Sequence, residues 1–169
     1  TVCSEQRMAA HPTPLHIRLD DLSDPRIEAF MKEHLRDMRA TSPPESVHAL
    51  DMDQLRQPDI AFWSAWLPGA DGDMLVGTGA LKRLDADHAE LKSMRTSARH
   101  RGQGIARKVL AHLLQEARAR GFSRVSLETG PQPFFEPARQ LYFQHDFVEC
   151  GPFADYGPDP YSFFMTRPV

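Results

Sequence analysis

The stretch Arg99-His100-Arg101-Gly102-Gln103-Gly104 sets two glycines one residue apart among basic side chains, directly before a long helical pattern. Glycines at that spacing let the main chain come close to a ligand and turn several N–H groups outward. A helix starting there adds unpaired donors and the positive end of its dipole. Arg99, Arg101 and Arg107 add mobile positive charge. The combination suits a pyrophosphate, although a glycine pair also serves a plain strand-to-helix turn. No G-x-x-x-x-G-K-[ST] string occurs, which excludes a Walker loop. Where a dinucleotide loop carries a third glycine, this stretch runs on as Ile105-Ala106-Arg107, and the early strands read as antiparallel, against a Rossmann unit.

Other chemistry is narrowed by what the chain lacks. The eight histidines show no metal-ligand spacing, and Cys3 and Cys150 are far apart, so neither a metal centre nor a disulfide framework is expected. A net charge of −3 argues against a dedicated nucleic-acid binder. No apolar run reaches membrane-spanning length and no signal-peptide pattern is present, which predicts a cytoplasmic protein without a membrane partner. At 169 residues with 41% hydrophobic and 25% charged residues, one domain with a full core is expected over 15–169, preceded by a flexible 1–14 segment.

The elements that must position the glycine loop follow from periodicity. His16 to Asp20 alternates as a first strand. Asp24-Pro25 offers an N-cap followed by proline in the first turn. Ile27, Phe30, Met31, His34, Leu35 and Met38 then give a helix one apolar face, until the prolines of "TSPPES". A short helix fits Met52 to Arg56. Strands fit Ile60 to Leu67 and Met74 to Leu84, joined by the turn "PGADGD", and His88 to Thr96 is a third. From Gly104 to Arg120 a helix places Ile105, Val109, Leu110, Leu113, Leu114 and Ala117 on one stripe, stopped at Gly121. "SRVSLET" is a strand, "PFFEPARQLYFQHDF" a helix with Pro137 near its first turn, and "FVECG" and "YSFFMTR" close the chain as strands. The strand–helix–strand crossover implies a parallel pair between the Glu90 and Leu127 strands.

This order and these strings resemble the GNAT N-acetyltransferases. "RHRGQG" is similar to the family's R/Q-x-x-G-x-G/A pyrophosphate loop, and Ala138, Leu141, Tyr142, Asp146 and Phe147 match its A-x-x-L-Y-x-x-x-G/D-F helix. "SPPESVHALD", "KSMRT", "SLETG" and "DPYSFFM" are similar to a bacterial subgroup described as small-molecule N-acetyltransferases. The resemblance covers the chain from about Leu15 onward. It implies an α/β (α+β mixed) acyl-CoA N-acyltransferase fold: a central, mostly antiparallel mixed sheet with a splayed parallel strand pair, flanked by helices.

The resemblance also implies acetyl-CoA (coenzyme A) as cofactor. Its pantetheine arm would meet the main chain of Met94, Arg95 and Thr96, with Arg99 and the loop Arg101, Gly102, Gln103, Gly104, Ile105 and Ala106 at the pyrophosphate. A backbone N–H near Met94 would polarise the thioester carbonyl. Tyr142 falls where many members place the acid that protonates the departing thiolate. Many members carry Asn three residues before the helix alanine; here that position is Phe135, so a contact to the pantetheine arm is lost or met by another group.

An acceptor ammonium must lose a proton before it attacks. Glu90, at the start of the cofactor strand, and Glu128, on its partner, are candidate bases, as is water; either carboxylate also reads as a solvated strand-edge charge. By position in the family, His48, Trp63, Glu128, Arg139, Tyr156 and Asp159 are candidates for the acceptor pocket; Trp63, like Trp66, also reads as a core or pocket-wall residue, and Arg139 equally as a surface charge. His11, His100 and His145 read as surface residues. The implied activity is acetyl transfer to a primary amine of a small metabolite by direct attack in a ternary complex. Acetylation of a peptide or protein amine, or a non-catalytic acyl-CoA-binding regulator, is the alternative. A homodimer through edge strands is a common assembly of the family.

Overall fold

A computed structural model describes residues 14–169, so Cys3, His11 and the expected flexible segment, apart from Pro14, lie outside the described residues. One seven-stranded sheet, ordered β1-β2-β3-β4-β5-β7-β6, carries the molecule. Its strands are β1 (His16–Leu19), β2 (Ile60–Leu67), β3 (Met74–Arg83), β4 (His88–Thr96), β5 (Arg124–Thr129), β6 (Val148–Cys150) and β7 (Phe163–Pro168). All neighbours are antiparallel except β4 and β5. The expected α/β fold, with a mostly antiparallel sheet and one parallel pair, is therefore what the chain adopts.

Helices cover both faces. On one face α1 (Pro25–Thr41) starts at Asp24, whose carboxylate accepts from the Arg26 N–H at 2.9 Å. It packs Ile27 and Met31 against Phe62, Trp66 and Ala80. The four-residue α2 (Met52–Leu55) is held by a capping box between Asp51 and Gln54. On the other face α3 (Ile105–Ala119) buries all six residues of its apolar stripe. That burial contributes on the order of 10 kcal/mol of transfer free energy at roughly 1.5–3 kcal/mol per large side chain. The last helix is α4 (Glu136–Gln144), entered through a 3-10 turn at Pro133–Phe135.

β2 is buried along both faces because it lies inside the sheet between two helical layers. Trp63 accordingly joins the α3-side core and Trp66 the α1-side core. Trp66 donates Nε1–H to Ser64 Oγ at 2.8 Å, and the Arg18 and Arg26 guanidinium groups lie over its ring at 4.4 and 4.5 Å from the centroid.

Two departures from regular geometry shape the centre. The parallel pairing of β4 with β5 runs only from His88↔Arg124 to Leu91↔Leu127, and beyond it the strands part. The β3–β4 register also slips between Thr78 and Ala80, which pair with Arg95 and Lys92. The bulge falls at Ser93, a non-glycine residue at φ +57°, fixed by the Thr78 hydroxyl donating to its carbonyl at 2.8 Å. Left-handed backbone at such a residue costs energy and marks a segment held by its surroundings.

Candidate active site

Where β4 and β5 part, a cavity of about 890 Å3 opens from the glycine loop to the segment that follows α1. Leu91 and Leu127, the last paired residues, line it, as do Lys92 to Thr96 on one strand and Glu128 and Thr129 on the other.

At one end is the glycine loop. A 3-10 turn (Ala98–His100) leads into Gly102 and Gly104, at φ +75° and +78°, and Gly104 caps α3. Neither position has any atom within 4 Å of where a Cβ would stand, so the demand for glycine comes from the backbone angle and the open approach. Among the described residues, no backbone N–H from Arg101 to Arg107 donates to another protein group, and Lys108 is the first to bond back, to the Gly104 carbonyl at 3.2 Å. A run of free N–H groups at the start of a 15-residue helix is an anion cradle.

Arg101, Gly102, Gly104, Ile105 and Ala106 line the cavity; Arg99 and Gln103 do not, and Gln103 reaches back to the Arg99 carbonyl at 3.5 Å. Arg107, also on the lining, bonds Gln144 of α4 at 2.7 Å and so bridges the two helices at this end. His100 corrects its reading as a surface histidine: it lines the cavity, and its buried Nδ1 has no partner. His145 is half-turned inward, its Nδ1 on the Leu141 carbonyl at 2.9 Å.

Along the middle, Met94, Arg95 and Thr96 line the cavity, and the Ser93 hydroxyl is buried without a partner. The Arg95 side chain turns away to α1, where it pairs with Asp37 at 2.8 Å and Glu33 at 3.2 Å. Phe135 and Tyr142 form part of the opposite wall. The Tyr142 hydroxyl has no hydrogen-bond partner among the described residues. Burial raises its pKa above the ordinary phenol range, so it stays a protonated donor at the edge of the cavity.

At the far end, charged side chains converge from segments distant in sequence. Tyr156 donates its hydroxyl to Glu90 Oε2 at 2.6 Å, and the Lys92 ammonium donates to the same oxygen at 3.1 Å and to the Tyr156 oxygen at 2.9 Å. Burial and the Glu90 carboxylate hold the Tyr156 phenol far above its usual range. Beside this cluster His48 Nδ1 lies 2.9 and 2.8 Å from the two oxygens of Glu128, and Ser162 donates to Glu128 at 2.8 Å. Two contacts join the segment after α1 to the β6–β7 connection over this end. Ser46 donates to Asp159 at 2.6 Å, and the His48 and Tyr156 rings meet edge-on at 5.0 Å. The Ser46 hydroxyl and the Tyr161 N–H hold the Asp159 carboxyl below the usual range.

Of the acceptor-side candidates, Trp63 takes up its alternative reading as a core residue and Arg139 lies apart from the cavity. Trp63 is core, and Arg139 donates to the Gly130 and Gln132 carbonyls, fastening the loop before α4. Lys92 and Ser162 were missed. Lys92 had a signal, since residues two apart on a strand share a face and Lys92 follows Glu90 by two. Ser162 had none, sitting in a connection without periodicity.

A cradle of free N–H groups, a cavity between two parted parallel strands and a phenol on its wall match what the family resemblance implies, and an independent comparison decides the point. The family model described as "Acetyltransferase (GNAT) family" matches residues 27–147. The chain belongs to the GNAT acetyltransferase family. A relative from Bacillus subtilis (strain 168), named "Uncharacterized N-acetyltransferase YsnE", is 54% identical over 153 residues, spanning 90% of this chain and 99% of that one. "Uncharacterized N-acetyltransferase YedL" of Escherichia coli (strain K12) is 48% identical over 150 residues, spanning 89% and 92%. A crystal structure from Klebsiella pneumoniae named for an acyl-CoA N-acyltransferase superposes with a TM-score of 0.71 at 26% identity, covering 91% of this chain and 97% of that one. The protein is an acetyltransferase enzyme of GNAT fold, and no helix among its described residues is long and apolar enough to cross a membrane.

Proposed function

We propose that the protein transfers the acetyl group of acetyl-CoA to a primary amine of a small metabolite by direct attack within a ternary complex. The observation that carries this reading is a single cavity running from the free N–H groups of Arg101–Arg107, past the parted strands, to the Glu128–His48 end. The donor substrate fits the residues present. Its pyrophosphate would take the glycine-loop N–H groups with Arg101, and its pantetheine arm would lie along Met94 to Thr96, opposite Phe135. The unpartnered Ser93 hydroxyl and His100 Nδ1 are further polar atoms for it. Bound there, acetyl-CoA supplies a thioester carbon open to attack.

The protein's own groups then manage protons. The acceptor nitrogen bonds to the acyl carbon as the carbon–sulfur bond breaks. Of the two protons the ammonium gives up, one passes to the polar cluster of Glu90, Glu128 and His48. The other replaces the proton that Tyr142 gives to sulfur. A thiolate needs only modest assistance because thiols ionise near pH 8.5, which suits a single phenol. A small acceptor is favoured over a peptide because the Ser46–Asp159 and His48–Tyr156 contacts tie the segment after α1 to the β6–β7 connection beside the acceptor end, whereas a peptide needs an open groove.

Calorimetric titration with acetyl-CoA, followed by thiol release across a panel of primary amines, tests the reading. Saturable binding with turnover of a small amine is expected. Failure to bind acetyl-CoA overturns it, and binding without turnover of any amine leaves an acyl-CoA sensor instead.

A further inference from the structure

Resting on this acetyl-transfer reading, we propose that His48 Nε2 is the general base, with Glu128 as the residue that positions it. An ionised carboxylate only accepts hydrogen bonds, so the nitrogen facing both Glu128 oxygens at 2.9 and 2.8 Å carries the hydrogen. Neutral His48 is then the Nδ1–H tautomer, and its lone pair sits on Nε2, which has no partner among the described residues. Ser162, donating to Glu128 Oε2 at 2.8 Å, and Tyr156, edge-on to the imidazole, hold the pair in place.

The other candidates at this end are engaged. Glu90 is 2% exposed and its Oε2 already takes the Tyr156 hydroxyl and the Lys92 ammonium. Both Glu128 oxygens face the imidazole. His34, the other imidazole on the acceptor side of the cavity, is pushed down to about 4 by burial and by Arg95, too weakly basic to take a proton from an ammonium.

His48 also has a route for the proton it takes. Its side chain is 34% exposed, and it lines both the reaction cavity and a neighbouring one of about 950 Å3. The charged and titratable groups facing it are Glu128 from β5, Tyr156 and Asp159 from the β6–β7 connection, and the Lys92–Glu90 pair of β4 behind Tyr156. In each turnover one proton passes from the acceptor ammonium to His48 Nε2 and on to solvent. The second ammonium proton still balances the one sulfur receives.

The test combines a spectroscopic and a kinetic reading. Nitrogen-15 correlation spectra of the histidine side chains, with His48 identified by its loss in His48→Gln, should show the Nδ1–H tautomer. Glu128→Gln should release that preference and lower kcat with KM for the amine little changed. With the panel amine that turns over fastest, His48→Gln should lower kcat/KM by about a hundredfold or more and remove the acid limb of the pH–rate profile. Acetyl-CoA affinity should stay at its wild-type value, and the circular dichroism of the folded protein should be kept. Added imidazole should restore turnover to His48→Ala. An Nε2–H tautomer in the wild-type protein, or an acid limb unchanged in His48→Gln, overturns the assignment. Absence of acetyl-CoA binding overturns the underlying reading instead, by a measurement in which His48 takes no part.

Discussion

Tyr156 and Glu90, 66 residues apart in the chain, are joined by a 2.6 Å hydrogen bond from the phenol to the carboxylate. The same oxygen takes the Lys92 ammonium, and both charged side chains are almost wholly buried, at 8% and 3% exposure. The cluster ties the β6–β7 connection to the centre of the sheet, at the point where β4 is about to leave β5.

Removing one partner of a buried ion pair strands the other charge. Lys92→Met should therefore destabilise the fold by about 3–5 kcal/mol. Tyr156→Phe, which loses the bond donated to the Glu90 carboxylate and the one accepted from the Lys92 ammonium, should cost at least about 1.5–3 kcal/mol. The double variant Glu90→Gln/Lys92→Met should recover most of the first loss. Urea unfolding of the wild type and the three variants measures this, and equal midpoints for wild type and Lys92→Met would remove the ion pair from the account.

His34 gives a pH dependence with a definite sign. Its folded pKa is lowered from 6.5 to about 4, first by burial and then by the nearby Arg95 charge, against a smaller opposing effect of Asp37. The unfolded imidazole takes a proton below pH 6.5 while the folded one waits until about pH 4. The contribution is thus complete above pH 6.5 and is lost as pH falls to about 4. At ~1.36 kcal/mol per unit the loss approaches about 3 kcal/mol. Unfolding free energies at pH 7 and pH 4.5 should differ by less in His34→Leu than in the wild type, and an identical difference contradicts this origin.

Tyr142→Phe separates chemistry from folding. The hydroxyl has no hydrogen-bond partner among the described residues, so its loss should leave the melting temperature within a degree or two. Thiol release should fall in kcat by at least about a hundredfold, with acetyl-CoA affinity retained. A kcat within twofold of wild type would assign the proton to another donor.

Gly104→Val tests the loop. The site has room for the side chain but sits at φ +78°, an unfavourable region for a β-branched residue, at a cost of roughly 1–2 kcal/mol. Acetyl-CoA affinity should drop at least tenfold as the N–H cradle shifts, while the circular dichroism of the folded protein is kept. Wild-type affinity in this variant would reduce the loop to a turn.

Much of this was legible in the residues because it rests on local periodicity and caps. The limits of β2 and β4 fall where the apolar run and the flanking turns put them. The stripe of α3 is wholly buried, and α1 begins at its Asp24–Pro25 cap but runs through Thr41, one residue into "TSPPES". The glycine loop could be read because backbone angles and free N–H groups depend on a few consecutive residues. The placement of β7 between β5 and β6, the bulge at Ser93 and the true surroundings of Arg95 and Arg139 could not, since each depends on which distant segment packs alongside.

By itself, then, the sequence determined the elements, the glycine loop at the start of α3 and the family, all carried by short-range patterns. Only the tertiary structure decided which acceptor-side groups meet. Those groups lie on β4, on β5 and on two irregular connections, after α1 and between β6 and β7. Irregular segments carry no period to read, so the pairing of His48 with Glu128, and of Tyr156 with Glu90 and Lys92, exists only once the sheet has closed and both connections fold over its parted strands.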